Sequence, residues 1–340
     1  MKIVKILFLS LILLVISCGK DDDNDSSTPQ TTNREYNLYI DFWNPNGTNP
    51  QISFDAENSS SEVRIDFSQT FAGVAVPPHF TNVIIDNVRI IDGQFVNYQI
   101  DGITAYEFRE DINNWKIDVE FYMAYEPVGH LDVVMVLDAS ASLGDDFNKV
   151  KEFASGFVNK IFTESPSANI GIVDFSDEIN SYGLSNNQEG INNYISNIQQ
   201  GPFTTLYEAM NEGIVILQNN QAEGKAIVTF TDGTDNNSDP IYNPEYLTDK
   251  LVNDPNNILI NSFTIGLEGN GGVDKPVLEN LAANGGVAAF PRTIDELETV
   301  FDQFSTSISN VYNLVYVRNQ QVIPQTEPVK LKFVIKASPK

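Results

Sequence analysis

Residues 131–137 form a Val-rich apolar run of strand length that stops abruptly at Asp138-Ala139-Ser140-Ala141-Ser142, and residues 226–230 repeat the design, ending at Thr231-Asp232-Gly233. Apolar runs this short, bounded by turn residues, read as fully buried strands rather than membrane spans. Amphipathic helices punctuate them. Phe147, Val150, Phe153, Ala154, Phe157 and Ile161 recur at three- and four-residue spacing, and Leu297, Val300, Phe301, Phe304, Ile308 and Val311 do so again, each set giving one apolar helix face. With further strands expected at 170–175 and 258–265, the alternation predicts repeated βαβ units: an α/β fold with a doubly wound, mostly parallel sheet covered by helices on both faces.

In such a sheet, ligands bind beyond the carboxyl ends of the strands, where the strand order reverses. Two strands that each end on an aspartate can therefore bring both carboxylates to one crevice. Three separated fragments supply oxygen-bearing side chains for it: Asp138, Ser140 and Ser142 in the first, Thr204 in GPFTTLYEA, and Asp232 in the third. Carboxylate and hydroxyl donors without Cys or His suit Mg2+, Mn2+ or Ca2+ and not Zn2+ or copper.

These residues resemble the metal-ion-dependent adhesion site (MIDAS) of a von Willebrand factor A (VWA) domain. Asp138, Ser140 and Ser142 match the Asp-x-Ser-x-Ser of that family, Thr204 its second-loop threonine and Asp232 its third-loop aspartate. The resemblance covers residues 129–313: ANIGIVDFSDEI looks like the second strand, and FTIGLEGNGGVDKPVLENLAANGGVAAF like the fifth strand, fifth helix and sixth strand. Ala141 and Phe203 stand where many members have glycine. The resemblance implies a divalent cation on the five residues and a protein ligand that reaches it with an acidic side chain, hence adhesion or another protein-protein interaction.

Ahead of this domain, residues 36–128 contain short strands at 36–42, 51–54, 63–67, 83–91, 95–100 and 116–122, separated by loops rich in Asn, Gly, Ser and Pro. That pattern predicts a β-sandwich. Two more strands are expected at 312–318 and 329–335. Residues 314–340 are expected to dock on the N-terminal β-domain, because an isolated hairpin is marginal in water; a separate C-terminal hairpin is the alternative.

The amino terminus carries an address. Lys2 and Lys5 precede an apolar stretch at 6–16, and residues 1–17 read as a secretory signal. Val15-Ile16-Ser17-Cys18 resembles the lipobox of bacterial lipoproteins, which makes Cys18, the only cysteine of the chain, the expected lipidation (palmitate) site and membrane anchor. Residues 18–35 are too polar and acidic to bury a core and are expected to form a flexible tether, spanning roughly 20 to 25 Å. Its Cys-x-Lys-Asp-Asp start resembles the export signal of Bacteroidetes surface lipoproteins, implying an outer-membrane lipoprotein exposed at the cell surface. One cysteine permits no intramolecular disulfide, so the fold must rest on its core.

Loss of the signal removes Lys2 and Lys5 and takes the formal charge from −26 to −28. Such a charge repels nucleic acid and anionic membrane surfaces. Catalysis finds no foothold: His79 follows Pro77-Pro78, His130 sits at the domain junction, and no Gly-x-Ser-x-Gly elbow is present. The glycines at 266, 269, 271 and 272 fit no phosphate loop. Asp145, Asp146, Asp235 and Asp239 read as turn and helix-cap acids. Trp43 and the tyrosines of the β-domain read as core aromatics, although sugar stacking would support an alternative: a carbohydrate- or solute-binding lipoprotein whose β-domain recognises the ligand.

Overall fold

The computed structural model describes residues 35–44, 51–66, 69–75, 80–92, 98–118, 121–255, 258–269, 272–319 and 329–340. The signal segment, Cys18 and the tether up to residue 34, together with His79 and Gly271, lie outside the described residues.

Eight strands come first: β1 (Tyr36–Asn44), β2 (Gln51–Phe54), β3 (Val63–Asp66), β4 (Gln69–Ala75), β5 (Phe80–Asp92), β6 (Tyr98–Arg109), β7 (Asn114–Ile117) and β8 (Phe121–Pro127). Next follow β9 (Leu131–Asp138), α1 (Phe147–Glu164), β10 (Asn169–Phe175), β11 (Ile179–Ser185), α2 (Gln188–Asn197), α3 (Leu206–Gln218), β12 (Gly224–Thr231), α4 (Pro244–Val252), β13 (Asn261–Gly266), α5 (Lys275–Leu281), β14 (Ala288–Ala289) and α6 (Ile294–Ser309). The described chain closes with β15 (Tyr312–Asn319) and β16 (Val329–Pro339).

The α/β domain has a six-stranded sheet in the order β11-β10-β9-β12-β13-β14, parallel apart from β11, which runs antiparallel to β10. Both faces are covered, which is why residues 133–137 of β9 read as an unbroken apolar run. Val133, Met135 and Leu137 face α1 and α6 in one core, while Val134 and Val136 face α3 in the other. Gly213 lets α3 settle onto the sheet, since a Cβ there would meet Ile227 Cδ1 at 2.9 Å and Val136 Cγ2 at 3.1 Å.

The remaining strands form two facing antiparallel sheets, β2-β1-β16-β6-β7 and β3-β5-β15-β8, with β4 also paired to β5. Leu38, Ile40, Phe42, Ile85, Val88, Leu314, Leu331 and Phe333 fill the space between them. β15 and β16 join different sheets: β15 lies between β5 and β8, and β16 between β1 and β6. The α/β domain thus departs from β8 and returns into its neighbour β15, with Tyr312 opposite Pro127 and Val128 N–H donating to Val311 O at 3.0 Å.

Two strand expectations require correction, and one strand, β4, is additional. The run at 116–122 is two strands, β7 and β8, in different sheets. Asp118 lies between them with its carboxylate buried and accepting the Tyr316 hydroxyl at 2.6 Å, and that anchor holds the chain where it crosses. Of the strand expected at 95–100, residues 95–97 lie outside the described residues, and the described part runs on as β6 to Arg109, with a register shift against β16 at Asp101. β4, whose Ala-Gly centre weakens its alternation, was not anticipated.

Buried contacts tie the two domains together. Arg89 of β5, 2 % exposed, donates to Asn261 Oδ1 at 2.6 Å and to Gly285 O at 3.4 Å, and lies 5.5 Å from the centre of the Phe263 ring. Asn310 Nδ2 donates to Tyr98 O at 2.6 Å. All these groups sit at the amino-terminal end of the parallel sheet. The carboxyl end is eight residues of β9 away, about 25 Å at the usual rise per residue.

Candidate functional site

β9 and β12 are adjacent, parallel and in register, Phe230 opposite Leu137. Successive strands are added on opposite sides of this pair, so the strand order reverses between them. This reversal opens the crevice that parallel sheets use for ligands. Asp138 closes β9 and Asp232 follows β12.

The first loop begins with a local bond: the Ser140 N–H donates to Asp138 Oδ1 at 2.8 Å, the Asx geometry that lets a chain leave a strand sharply. Ser140 and Ser142 then point back together, their hydroxyls 2.9 Å apart. Ser142 Oγ donates to Asp232 Oδ1 at 2.9 Å, and Ser140 Oγ lies 3.4 Å from the same oxygen. Four of the five expected residues therefore form one polar cluster. Asp138, Ser140 and Asp232 are buried, whereas Ser142 is exposed and carries the cluster to the surface.

Thr204, 5 % exposed, enters from the second loop, which is stitched to both others. Its N–H donates to Asn236 Oδ1 at 3.0 Å and its carbonyl accepts the Asn236 N–H at 3.0 Å. A Cβ built on Gly233, next to Asp232, would stand 3.7 Å from Thr204 Oγ1. Toward the first loop, Ala141 N–H donates to Gly201 O at 2.8 Å, Gly201 N–H to Ala139 O at 2.9 Å, and Gln200 Nε2 to Ser140 O at 3.0 Å. Glycine is required at 201, because a Cβ would collide with the Ser176 hydroxyl and come within 2.5 Å of Asp177 Oδ1.

Asp235 serves α3: it accepts from the Tyr207 N–H at 3.0 Å and from the Ser238 hydroxyl at 2.5 Å. Ala141 is exposed, and Phe203 stands at the rim, 48 % exposed.

Electrostatically the cluster is under tension. Burial pushes the Asp138 carboxyl up to about 6, and the charge of Asp232 adds to the rise against hydrogen bonds from Ser140 and Thr231. Burial likewise raises Asp232, against the Ser142 and Ser140 hydroxyls. A cation placed among these oxygens would invert that logic and favour both charged forms. Among the described residues no group of three or more His, Cys, Asp or Glu side chains could hold a metal ion. A cation at this cluster would rest on two carboxylates and three hydroxyls, an all-oxygen set fitted to a hard divalent ion.

Thr231 is a further residue of the site, one that no motif in the sequence marks. Its hydroxyl donates to Asp138 Oδ2 at 2.6 Å and accepts the Gly233 N–H at 3.1 Å. The available signal was register: two strands that both end on aspartate place the residue before the second aspartate beside the first.

The model of the von Willebrand factor type A domain family matches residues 132–303, half of the 340-residue chain, and the chain belongs to that family. Among solved structures it is similar to proximal thread matrix protein 1 from the mussel byssus, at 18% identity and a TM-score of 0.46, covering 59% of this chain and 50% of that one. It is also similar to the conserved hypothetical protein BatB from Bacteroides thetaiotaomicron, at 16% identity and a TM-score of 0.40 over 52% of this chain and 98% of that one. A third is the pilus adhesin SpaC from Lactobacillus rhamnosus GG in its open conformation, at 14% identity and a TM-score of 0.43 over 84% of this chain and 43% of that one. The chain spans about half the length of the mussel protein. No curated protein matches it.

Proposed function

We propose that this protein captures a protein ligand through a divalent cation, Mg2+, Mn2+ or Ca2+, held by Asp138, Ser140, Ser142, Thr204 and Asp232. The observation that carries the reading is the convergence of oxygen-only side chains at the carboxyl ends of β9 and β12, at the opposite end of the sheet from the β-domain contacts. A six-coordinate ion held by those five oxygens keeps one position for an outside donor. An Asp or Glu side chain of a partner fits it, with the loops around Phe203, Tyr207 and Asn236 supplying shape. Such a desolvated contact acts as the binding hot spot.

The role is binding and not catalysis. Metal-assisted hydrolysis needs a water-activating base beside the ion, and the five residues include neither His nor Glu. We further place the protein at the cell surface as an outer-membrane lipoprotein anchored through Cys18, on the strength of the signal and lipobox-like sequence. Among the described residues no helix is long and apolar enough to cross a membrane.

Calorimetric titration with Mg2+ tests the metal assignment. Heat of binding in the wild type and none in Asp138→Ala is the expected result; equal uptake by both proteins would refute it.

A further inference from the structure

The chain has two tryptophans, and both belong to one face of the β-sandwich. In the sheet β2-β1-β16-β6-β7, Leu38, Ile40, Phe42, Leu331 and Phe333 point into the core, so the alternate residues point outward. Trp43 of β1 lies opposite Gln51 of β2 and Lys330 of β16. Lys330 Nζ sits 5.9 Å from the Trp43 ring centre and 5.2 Å from that of Phe108 on β6. Phe108 pairs with Trp115 of β7, their rings 5.4 Å apart at 70°. A single row across five strands thus reads Gln, Trp, Lys, Phe, Trp. Contrary to the expectation of core packing, Trp43 is 41% exposed.

The neighbouring row places Ser53, Asp41, Lys332 and Tyr106 side by side. Lys332 Nζ lies 3.5 Å from Asp41 Oδ1 and 3.3 Å from Asp55 Oδ2, and 5.3 Å from the centre of Trp115. Its ammonium, held by both carboxylates, ties the second row to the first at the Trp115 ring.

We propose that this face is a carbohydrate-binding platform. Trp43, 41% exposed, and the partly exposed edge-to-face pair Phe108–Trp115 offer apolar ring surface to the C–H face of a sugar ring, while Lys330, Asp41, Gln51 and Ser53 offer the donors and acceptors that hydroxyl groups need. A protein partner fits less well: the centre of the face is its charged column, and the cores of protein interfaces are depleted of charge. Desolvating Lys332 and its carboxylates against an apolar surface would be costly, whereas sugar hydroxyls can hydrogen-bond to both signs. Stacked nucleobases are disfavoured by a chain of net charge −26. Around the rings, Asp41 and Asp55 both pair with Lys332 while Lys330 lies over Trp43 and Phe108; acids and bases are mixed there instead of forming a patch of one sign, which favours a neutral glycan. From Trp43 to Trp115 is three strand steps, about 14 Å, room for an oligosaccharide segment and not only a single sugar.

Because both tryptophans are on the platform, intrinsic tryptophan emission reports on it directly. The purified protein is titrated in EDTA with neutral gluco-, manno-, galacto-, xylo- and N-acetylglucosamine-containing oligosaccharides, with parallel electrophoresis through gels containing the matching polysaccharides. At least one class should shift the emission and retard the protein. Trp43→Ala and Trp115→Ala should weaken retardation at least tenfold with unchanged far-UV circular dichroism, and Trp43→Phe should retain most of it. No response to any class, or alanine variants that bind as the wild type does, would overturn the proposal. So would sugar binding that needs a divalent cation and disappears in Asp138→Ala, which would put the glycan at the metal end.

Discussion

Thr231 Oγ1 donates a 2.6 Å hydrogen bond to Asp138 Oδ2, joining the last residue of β12 to the last residue of β9 with both side chains fully buried. Thr231→Val keeps the shape and removes the donor, leaving a buried carboxylate oxygen short of a partner. Such a loss costs about 1–3 kcal/mol. Urea denaturation in EDTA should show that drop for Thr231→Val and recovery in Thr231→Ser; an unchanged midpoint for the valine variant would show that the bond does not position Asp138.

Asp138 itself works against the metal-free fold, since burial raises its carboxyl and Asp232 stands close by. Asp138→Asn removes the charge but keeps an acceptor for the Ser140 N–H. Its melting temperature in EDTA should be no lower than that of the wild type, while its Mg2+ affinity should fall at least tenfold, about 1.4 kcal/mol. A variant that lost stability yet bound Mg2+ normally would reverse the roles assigned to this residue.

Much of the α/β domain was legible because its signals are local. The spacing of Phe147, Val150, Ala154, Phe157 and Ile161 reports one helix face, and all five are buried on α1. The oxygen donors were legible for a related reason: Asp138 and Asp232 each interrupt an apolar run at a strand end. What stayed hidden depends on pairs distant in sequence. Thr231 looked like strand until the register of β9 and β12 placed it at Asp138, and Gly201 gains meaning only where its backbone meets Ala139 and Ala141. In the β-domain, alternation marks strands but not which face is solvated, so Trp43 read as core although it faces outward.

Arg89 offers a test of the domain junction. It donates from β5 to Asn261 and Gly285 and stacks near Phe263. Arg89→Met keeps apolar bulk and loses the charged hydrogen bonds, a class of interaction that contributes about 1.5–3 kcal/mol. Limited proteolysis should then cut faster around residues 128–130 and 310–311. Unchanged cleavage would mean that the paired strands β8 and β15 hold the junction without the arginine.

Anchoring is open to a direct experiment. Cys18→Ala should leave the precursor unprocessed or release the protein from the membrane fraction, and protease treatment of intact cells should remove the wild-type protein. Normal processing and normal fractionation of the variant would refute lipidation at Cys18.

Capture of a partner through the site requires that the cation itself be the ligand contact. Thr204→Ala isolates that question: it removes one donor oxygen and leaves both backbone bonds to Asn236, so the loop should stay in place. The decisive measurement is capture of biotin-labelled cell-surface proteins by the immobilised protein, in Mg2+ and in EDTA, with the wild type and Thr204→Ala compared at matched thermal stability. We predict partners retained by the wild type in Mg2+ and lost both in EDTA and with Thr204→Ala. Partners held equally well in all three cases would contradict capture through the metal.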